Sequence, residues 1–330
     1  MEDPLVSVII PAKNEEVLLS SVLTHLRVSI DVFAGACEVI LVDNGSTDAT
    51  CDVAVKQNCT IVVEPYLSIA GLRNLGARLA RGSVLAFLDA DCLVDPNWMK
   101  YCVERLSDRK IGIVGTRAVP DFNNATWVEE GWFGLVSGVE RPDYPRWIGS
   151  SNMFIRKDVF DEIGGFNESL VTAEDVDICT KAAQKYKICL EKRICTIHLR
   201  ESKTVMQMVK REVWRGKSSI RQILISSDKI NEAKGLVIPM TVNILSGLTF
   251  IGLFQDTFYK WSFVLIVLLP LVMIVYKKAI FNNVTDFKNV YVVSLIYLLS
   301  RTFAMIEELF IITGPFAKRC FGSWNSKQRV

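Results

Sequence analysis

Four short apolar runs punctuate the first ninety residues of the chain, and they lie at 6–10, 38–42, 60–63 and 84–88. Between them, apolar residues recur at helical spacing over 15–28, 48–57 and 69–79. Continuous apolar strands that alternate with amphipathic helices are typical of a mostly parallel sheet with helices on both faces. The pattern therefore predicts an α/β fold for residues 1–230.

The pattern changes after residue 235, because residues 236–312 are almost wholly apolar. Segment 236–254 holds 19 residues without a charge, enough to span a hydrocarbon core of roughly 30 Å. Segments 258–276 and 290–312 follow, and they predict a membrane domain over 235–330 with two to three transmembrane helices and a basic tail. The third segment contains Arg301. It fits either an interfacial helix or a spanning helix in which Arg301 pairs with an acid inside the bundle.

Charge and composition narrow the class of protein. The chain has 38 basic and 36 acidic side chains, a net charge of +2, which argues against a nucleic-acid binder driven by bulk electrostatics and against intrinsic disorder. Its nine cysteines lack CxxC spacing, so reduced thiols are expected rather than a zinc site or a disulfide framework. The acidic start and a short apolar run that ends at Pro11 do not resemble a secretory signal. Basic residues flank the first two apolar segments, which predicts an integral membrane protein, at the cell (inner) membrane, with residues 1–230 in the cytoplasm.

Polar and acidic residues follow three of the predicted strands. They are PAKNEE at 11–16, DNGSTD at 43–48 and DADC at 89–92. Ligands bind outside the carboxyl ends of the strands in open parallel sheets. DNGSTD also fits a turn, although a helical pattern capped by Thr47 or Asp48 follows it rather than a strand. Asp43 is placed to accept a hydrogen bond from a base or a ribose.

Two acids one residue apart, Asp89 and Asp91, end the fourth strand. Carboxylates held this close repel each other, and a divalent cation removes that cost. Mg²⁺ or Mn²⁺ is the natural partner, because such ions use one or two carboxylates together with substrate phosphates. A solvated loop without an ion is the other interpretation of this pattern.

The ordered segments VSVIIPAKNEE, VDNGSTDAT, AGLRNLGARLARG and VLAFLDADC resemble the family 2 glycosyltransferases of GT-A fold. The later segment GSSNMFIRKDVFDEIGGFNESLVTAEDVDICTKA is similar to the acceptor half of that family. The resemblance covers roughly residues 5–220. It implies a Rossmann-like GT-A domain with a nucleotide-sugar half at about 1–115 and an acceptor half at about 116–230. It also implies an inverting, metal-dependent transfer from a UDP- or GDP-linked sugar.

The resemblance implies roles for individual residues. Asp175 would be the general base, and Glu174 would support it. The nucleotide-sugar would be held by Pro11, Lys13, Glu15, Asp43, Arg73 and Asp89, and the metal by Asp89, Asp91 and His198. Two simpler interpretations stay open: Thr172 also fits the cap of a helix that begins with acids, and a lone histidine in a strand is often only hydrogen-bonded.

A basic stretch with an embedded tryptophan lies at 210–217 and contains Arg211, Trp214 and Arg215. It fits a gate that brings cations to a pyrophosphate and an aromatic face to a sugar, and it fits equally an amphipathic interfacial helix. It departs from the QxxRW signature of processive synthases, which argues against processive polymerisation.

Membrane attachment favours a lipid-linked acceptor, in glycan or glycolipid synthesis. A polyprenyl-phosphate glycosyl synthase is one alternative. A catalytically silent membrane scaffold with the same fold is another. The joint presence of Asp43, Asp89, Asp91 and Asp175 favours the enzyme, since a scaffold has no need of all four.

Overall fold

The computed structural model describes residues 5–137, 142–216 and 287–313, with isolated positions at 241, 268, 270, 271 and 274. The chain divides into two compact units. The first contains residues 5–124 and 142–201, and the second contains 125–137, 202–216 and 287–313. The predicted membrane segments 236–254 and 258–276 lie outside the described residues, apart from the isolated positions.

Strands and helices alternate along the first unit much as the apolar runs predict, and the second unit contains helices at 127–137, 205–216 and 287–313. In chain order they are β1 Val6–Ala12, α1 Glu16–Phe33, β2 Cys37–Asp43, α2 Thr50–Lys56, β3 Thr60–Val63, α3 Ile69–Leu79, β4 Val84–Leu88, β5 Cys92–Leu93, α4 Trp98–Leu106, β6 Ile111–Pro120, α5 Trp127–Ser137, β7 Asn152–Arg156, α6 Lys157–Glu162, α7 Glu174–Ala182, β8 Lys187–His198, α8 Val205–Gly216 and α9 Phe287–Thr313.

The strands form one eight-stranded sheet in the order β3-β2-β1-β4-β7-β6-β8-β5. Strands β1 to β4 pair in parallel, and so do β6 and β8. The remaining pairs, β4–β7, β6–β7 and β5–β8, are antiparallel. The predicted α/β fold with a mostly parallel sheet is therefore confirmed.

Helix starts are where the structure departs from the sequence pattern. Helix α2 begins at Thr50 and not at 48, and neither Thr47 nor Asp48 is its cap. The Asp48 carboxylate instead accepts a hydrogen bond from the Thr50 amide at 3.0 Å, which holds the chain in a turn before the helix. Likewise α7 begins after Ala173, so Thr172 is not its cap.

Both faces of the sheet are buried at its central strands β1 and β4, as their continuous burial along the chain shows. Every residue of β1 is buried. Val8 and Ile10 pack into the cluster that contains side chains of α1 and α4, whereas Ile9 packs into the one that contains side chains of α3, α6 and α7. The polar exception is Ser7, whose hydroxyl donates to the Glu38 carboxylate at 2.6 Å. The carboxyl ends of β1, β2 and β4 therefore belong to a sheet that has helices packed on both faces.

The second unit is built on apolar faces of α5, α8 and α9. Val128 and Leu135 of α5 and Met208 of α8 share a core with Val290 and Val293 of α9. These helices bury their apolar sides together, and the compact units change along the chain at 124/125 and at 201/202. The predicted domain boundary near residue 230 lies outside the described residues and stays a prediction.

A buried acid pairs with two arginines in this second unit. Glu212 of α8 is almost fully buried, with Arg215 at 2.8 Å and Arg301 of α9 at 3.2 Å from its carboxylate oxygens. This is a pairing of the kind that the sequence predicts for Arg301 within a helix bundle. Among the described residues, one helix is long and apolar enough to cross a membrane by length and composition, over Phe287–Glu307.

Gly76 sets how closely α3 can approach the sheet, and its replacement tests that packing. A Cβ at this position would overlap Cγ2 of Ile9 and would lie 3.3 Å from Cγ2 of Val42. We expect Gly76→Ala to lower the free energy of unfolding by about 1–3 kcal/mol, since overpacking a dense core outweighs the gain of roughly 1 kcal/mol in helix propensity. Chemical denaturation measures the change, with Arg78→Ala on the exposed side of α3 as the control. A more stable Gly76→Ala protein would contradict this packing.

Candidate active site

The loops after β1 and β2 form one hydrogen-bonded edge. Asn14 accepts a hydrogen bond from the Thr47 amide at 2.9 Å, and the Glu15 amide donates to the Thr50 hydroxyl at 2.7 Å. Asp43 is 1% exposed, and its carboxylate accepts hydrogen bonds from the amide and the hydroxyl of Ser46. Pro11 pairs with Val42 across the two strands, and Lys13 follows β1 directly. Pro11, Lys13, Glu15 and Asp43, which the sequence predicts as nucleotide ligands, therefore share this edge.

Arg73 of α3 carries a nearly fully buried charge at the site, since it is only 2% exposed. Its guanidinium donates to Asp89 at 2.8 Å and to Glu174 at 2.8 Å. Asp89 follows β4, and Glu174 begins α7, so one arginine joins two acids that are 85 residues apart in the chain. Burial of three charges is tolerated because each finds an opposite charge and a hydrogen bond.

Helix α7 presents its first two acids in different environments. Glu174 accepts hydrogen bonds from Arg73 and, at 3.1 Å, from the Ser150 hydroxyl. Ala173 precedes them in the left-handed region with φ 66°, which is uncommon for a residue with a side chain. Such backbone strain is often found at functional sites. The left-handed backbone of Ala173 turns the chain into α7 directly before Glu174 and Asp175.

Asp175 has a strongly perturbed acidity. Burial raises the pKa of its carboxyl to about 7, the negative charge of Glu174 adds to that rise, and the charge of Arg73 opposes it. A carboxylate with a pKa near neutrality can both take up and release a proton at working pH. Perturbation by burial and by a specific charged neighbour is typical of groups that act as acids or bases.

A second group of ligand-type side chains lies beside β5. Oxygen of Asp91, sulfur of Cys92 and nitrogen of His198 all fall within 4.8 Å of one another. They meet because the two-residue strand β5 pairs with the end of β8, with Cys92 opposite His198. The distance between His198 Nε2 and Asp91 Oδ1 is 3.7 Å, too long for a hydrogen bond.

This group fits a divalent cation. A carboxylate oxygen and an imidazole nitrogen face each other without a hydrogen bond between them, and both are ordinary ligands of Mn²⁺ and similar ions. Burial raises the pKa of the Cys92 thiol well above its usual range, so its sulfur stays protonated and is the poorest ligand of the three. Asp89, which the sequence also predicts as a ligand, lies outside this group and is held by Arg73 instead.

Glu15 and Arg200 link the first loop to the end of β8. Arg200 Nη1 lies 2.6 Å from Glu15 Oε1. Burial raises the pKa of Glu15 to about 7, Arg200 lowers it and the charge of Asp91 raises it. Glu15, the first acid of the NEE sequence at 14–16, is therefore held at the same edge as Asp91 and His198.

Several residues at the site escape sequence reasoning. Ser150, Cys92 and Arg200 contact the predicted acids. Cys92 lies within DADC and Ser150 within the GSSNMF segment, but neither is predicted as a site residue, and no motif marks Arg200. Asn74 does have a signal, because it follows Arg73 in the GLRN motif. Its side-chain amide exchanges two hydrogen bonds with the backbone of Phe166, at 2.9 and 3.0 Å, and so fixes the loop that leads to α7.

Three predicted residues lie in the second unit, on α8. Trp214 is exposed and Arg211 is half-buried. Arg215 pairs with Glu212 and lies over the ring of Trp132, with 5.4 Å from its guanidinium carbon to the ring centroid. Their predicted role in nucleotide-sugar binding stays a prediction.

Comparisons with known proteins agree with this architecture. Residues 7–164 match the family model described as glycosyl transferase family 2. The glycosyltransferase AglE of Haloferax volcanii is 26% identical over 251 residues, which cover 73% of this chain and 82% of AglE. The beta-monoglucosyldiacylglycerol synthase of Nostoc sp. is 24% identical and is matched over 53% of this chain, but over only 40% of its own length.

A solved structure shares the fold. The mannosyltransferase PcManGT from Pyrobaculum calidifontis, in complex with GDP-Man and Mn²⁺, superposes with a TM-score of 0.67 at 18% identity. The match covers 94% of this chain and 88% of PcManGT. The protein is therefore a glycosyltransferase of GT-A fold, and its residues 7–164 match the family model described as glycosyl transferase family 2.

Proposed function

We propose that this enzyme moves a sugar, with inversion, from a nucleotide-sugar to a hydroxyl group of a lipid-linked acceptor, with Asp175 as the general base. The observation that carries the proposal is the buried pair of contacts made by Arg73. Through Asp89 and Glu174 it ties the loop after β4 to the helix that bears Asp175. The GDP-Man and Mn²⁺ bound to the structurally similar PcManGT support a nucleotide-sugar donor and a divalent metal.

The reaction needs one proton acceptor and one stabilised leaving group. Asp175 takes the proton of the acceptor hydroxyl while that oxygen forms a bond to the anomeric carbon. The bond from that carbon to the nucleoside diphosphate breaks, and its electron pair leaves with the diphosphate. Attack from the face opposite the leaving group inverts the anomeric centre.

Asp91 and His198 would hold a divalent cation, Mg²⁺ or Mn²⁺. When bound, such an ion lowers the energy of the negative charge that develops on the diphosphate. Pro11, Lys13, Glu15 and Asp43 form the edge on which the nucleotide would lie, and Asp89 would contact its ribose or phosphates. Their shared location at the carboxyl ends of the parallel strands supports these assignments.

We assign Arg73 to positioning rather than to direct contact with the donor. Its guanidinium is buried and already engages Asp89 and Glu174. It holds both acids in place, with Glu174 directly before Asp175 in the chain. The negative charge of Glu174 helps to raise the pKa of Asp175 towards neutrality.

A lipid-linked acceptor is supported by two observations. The matched Nostoc protein is named for the synthesis of a glucosyldiacylglycerol, and α9 is long and apolar enough to cross a membrane. The membrane surface would then be the location of three residues of α8: Arg211, Trp214 and Arg215. The first unit would lie on the cytoplasmic side. Cations and aromatic rings are common at that interface.

The donor and acceptor classes are tested together with the full-length protein in detergent. We expect sugar transfer from one member of a panel of UDP- and GDP-sugars when a membrane lipid extract is present, and no transfer when the extract is replaced by soluble sugars. Radiolabel in the organic phase measures the product. Efficient transfer to a soluble sugar with none to lipid would contradict the lipid acceptor while leaving the transferase intact.

The raised pKa of Asp175 predicts a pH profile. Below pH of about 7 the carboxyl holds its proton and cannot act as a base, so kcat/KM falls roughly tenfold per pH unit and levels off above pH 7. We expect Asp175→Asn to lower kcat by roughly 10²–10⁴-fold and to abolish this pH step. Asp177→Asn on the same helix is the matched control.

Glu15 could produce a similar step, because its pKa is also raised to about 7. The two groups are separated by their variants. Glu15→Gln keeps the step if Asp175 causes it, and a step that persists in Asp175→Asn would show that another group is the base.

Metal dependence follows from the group at Asp91 and His198. We expect chelation to abolish transfer, Mn²⁺ or Mg²⁺ to restore it, and Asp91→Ala or His198→Ala to weaken metal binding at least tenfold, since each removes one of two protein ligands. Isothermal titration with Mn²⁺ measures the affinity. Transfer that survives complete chelation would contradict the metal assignment.

A further inference from the structure

The four residues at 198–201, which end β8 and follow it, contact both loops that carry the candidate donor-site acids. The Leu199 amide donates to the backbone oxygen of Asp91 at 2.9 Å. Arg200 pairs with Glu15, as described above. Glu201 places a carboxylate oxygen 3.6 Å from Nδ1 of His198. The segment therefore lies along the edge where the metal and the donor would bind.

The imidazole of His198 lies between two carboxylates. Nε2 faces Asp91 at 3.7 Å, and Nδ1 faces Glu201 at 3.6 Å. Nδ1 is buried and has no hydrogen-bond partner among the described residues. A buried polar nitrogen without a partner is rare in native proteins and calls for an explanation.

The lack of a partner for Nδ1 is explained by which of the two ring nitrogens of His198 binds the ion. A neutral imidazole carries one N–H, and the nitrogen without the hydrogen is the one that can ligate a metal. If Nε2 binds the ion beside Asp91, the hydrogen must sit on Nδ1, where a buried N–H needs an acceptor. Glu201 is the carboxylate that faces it, and Arg200 cannot serve because a guanidinium has no acceptor atom.

We propose that Glu201 is a positioning residue for His198: it accepts the Nδ1 hydrogen and so presents the Nε2 lone pair to a divalent cation at Asp91. This inference rests on the proposed metal site. A small side-chain rotation brings 3.6 Å to hydrogen-bond distance. Carboxylate partners of this kind orient metal-ligating histidines and raise their basicity, and their loss typically weakens metal affinity by roughly 10–100-fold.

The test measures metal affinity and not turnover. Isothermal titration of the full-length protein with Mn²⁺, without nucleotide, compares the wild type with Glu201→Ala and Glu201→Gln. We expect Glu201→Ala to raise the Kd for Mn²⁺ by about 10–100-fold. Glu201→Gln should raise it less, because an amide oxygen accepts the same hydrogen without the charge. Glu104→Ala, at an exposed position of α4, is the matched control and should leave the Kd unchanged.

The variants separate a failure of this inference from a failure of the metal site. If Asp91→Ala weakens Mn²⁺ binding and Glu201→Ala does not, Glu201 has no positioning role and the metal site stands. If Asp91→Ala also binds as the wild type does, the metal site itself is wrong and this inference falls with it.

A purely structural role for Glu201 would lower the melting temperature measured without metal. If Glu201→Ala fails to fold, the Kd for Mn²⁺ and the metal-free melting temperature are measured on Glu201→Gln instead. A raised Kd for Mn²⁺ with an unchanged metal-free melting temperature supports the role, and an unchanged Kd overturns it.

Discussion

The burial of Arg73 is the constraint on which the rest of the candidate active site depends. Moving a guanidinium out of water costs several kcal/mol unless opposite charges meet it with good geometry. Here the two carboxylates come from the end of β4 and from the start of α7, and each lies 2.8 Å from a different guanidinium nitrogen. Removing either acid would leave the buried guanidinium with one carboxylate where it now has two, so both contacts favour one arrangement of the helix, the loop and the sheet edge.

That arrangement has a chemical consequence. Glu174 pairs with Arg73, and its carboxylate directly precedes Asp175 in the chain. Burial and this neighbour together raise the pKa of Asp175 to about 7, a useful value for a base. The same arginine therefore holds the loop after β4 and helps to set the environment of Asp175, the proposed base.

The β5 end of the sheet contributes the second part of the site, which is the group of Asp91, Cys92 and His198. Strand β5 has only two residues, yet its antiparallel pairing with β8 brings Cys92 opposite His198 and so places His198 near Asp91. The residues that follow then reach back to Glu15 in the first loop. Two short pieces of the chain thus connect the loops after β1 and β4 through the end of β8.

The local pattern of the chain determined much of this protein. Apolar runs predict β3, β4 and α3 to the residue. A buried parallel strand such as β4 must be continuously apolar, and an amphipathic helix must repeat its apolar face. The acids that follow β2 and β4 predict the ligand-binding edge. What only the tertiary structure decided is which distant side chains meet: Arg73 with Glu174, His198 with Asp91 and Glu201, and Glu212 with Arg301. Those contacts depend on strand order, on the β5–β8 register and on helix packing, which local spacing does not encode because they join residues that are far apart in the chain.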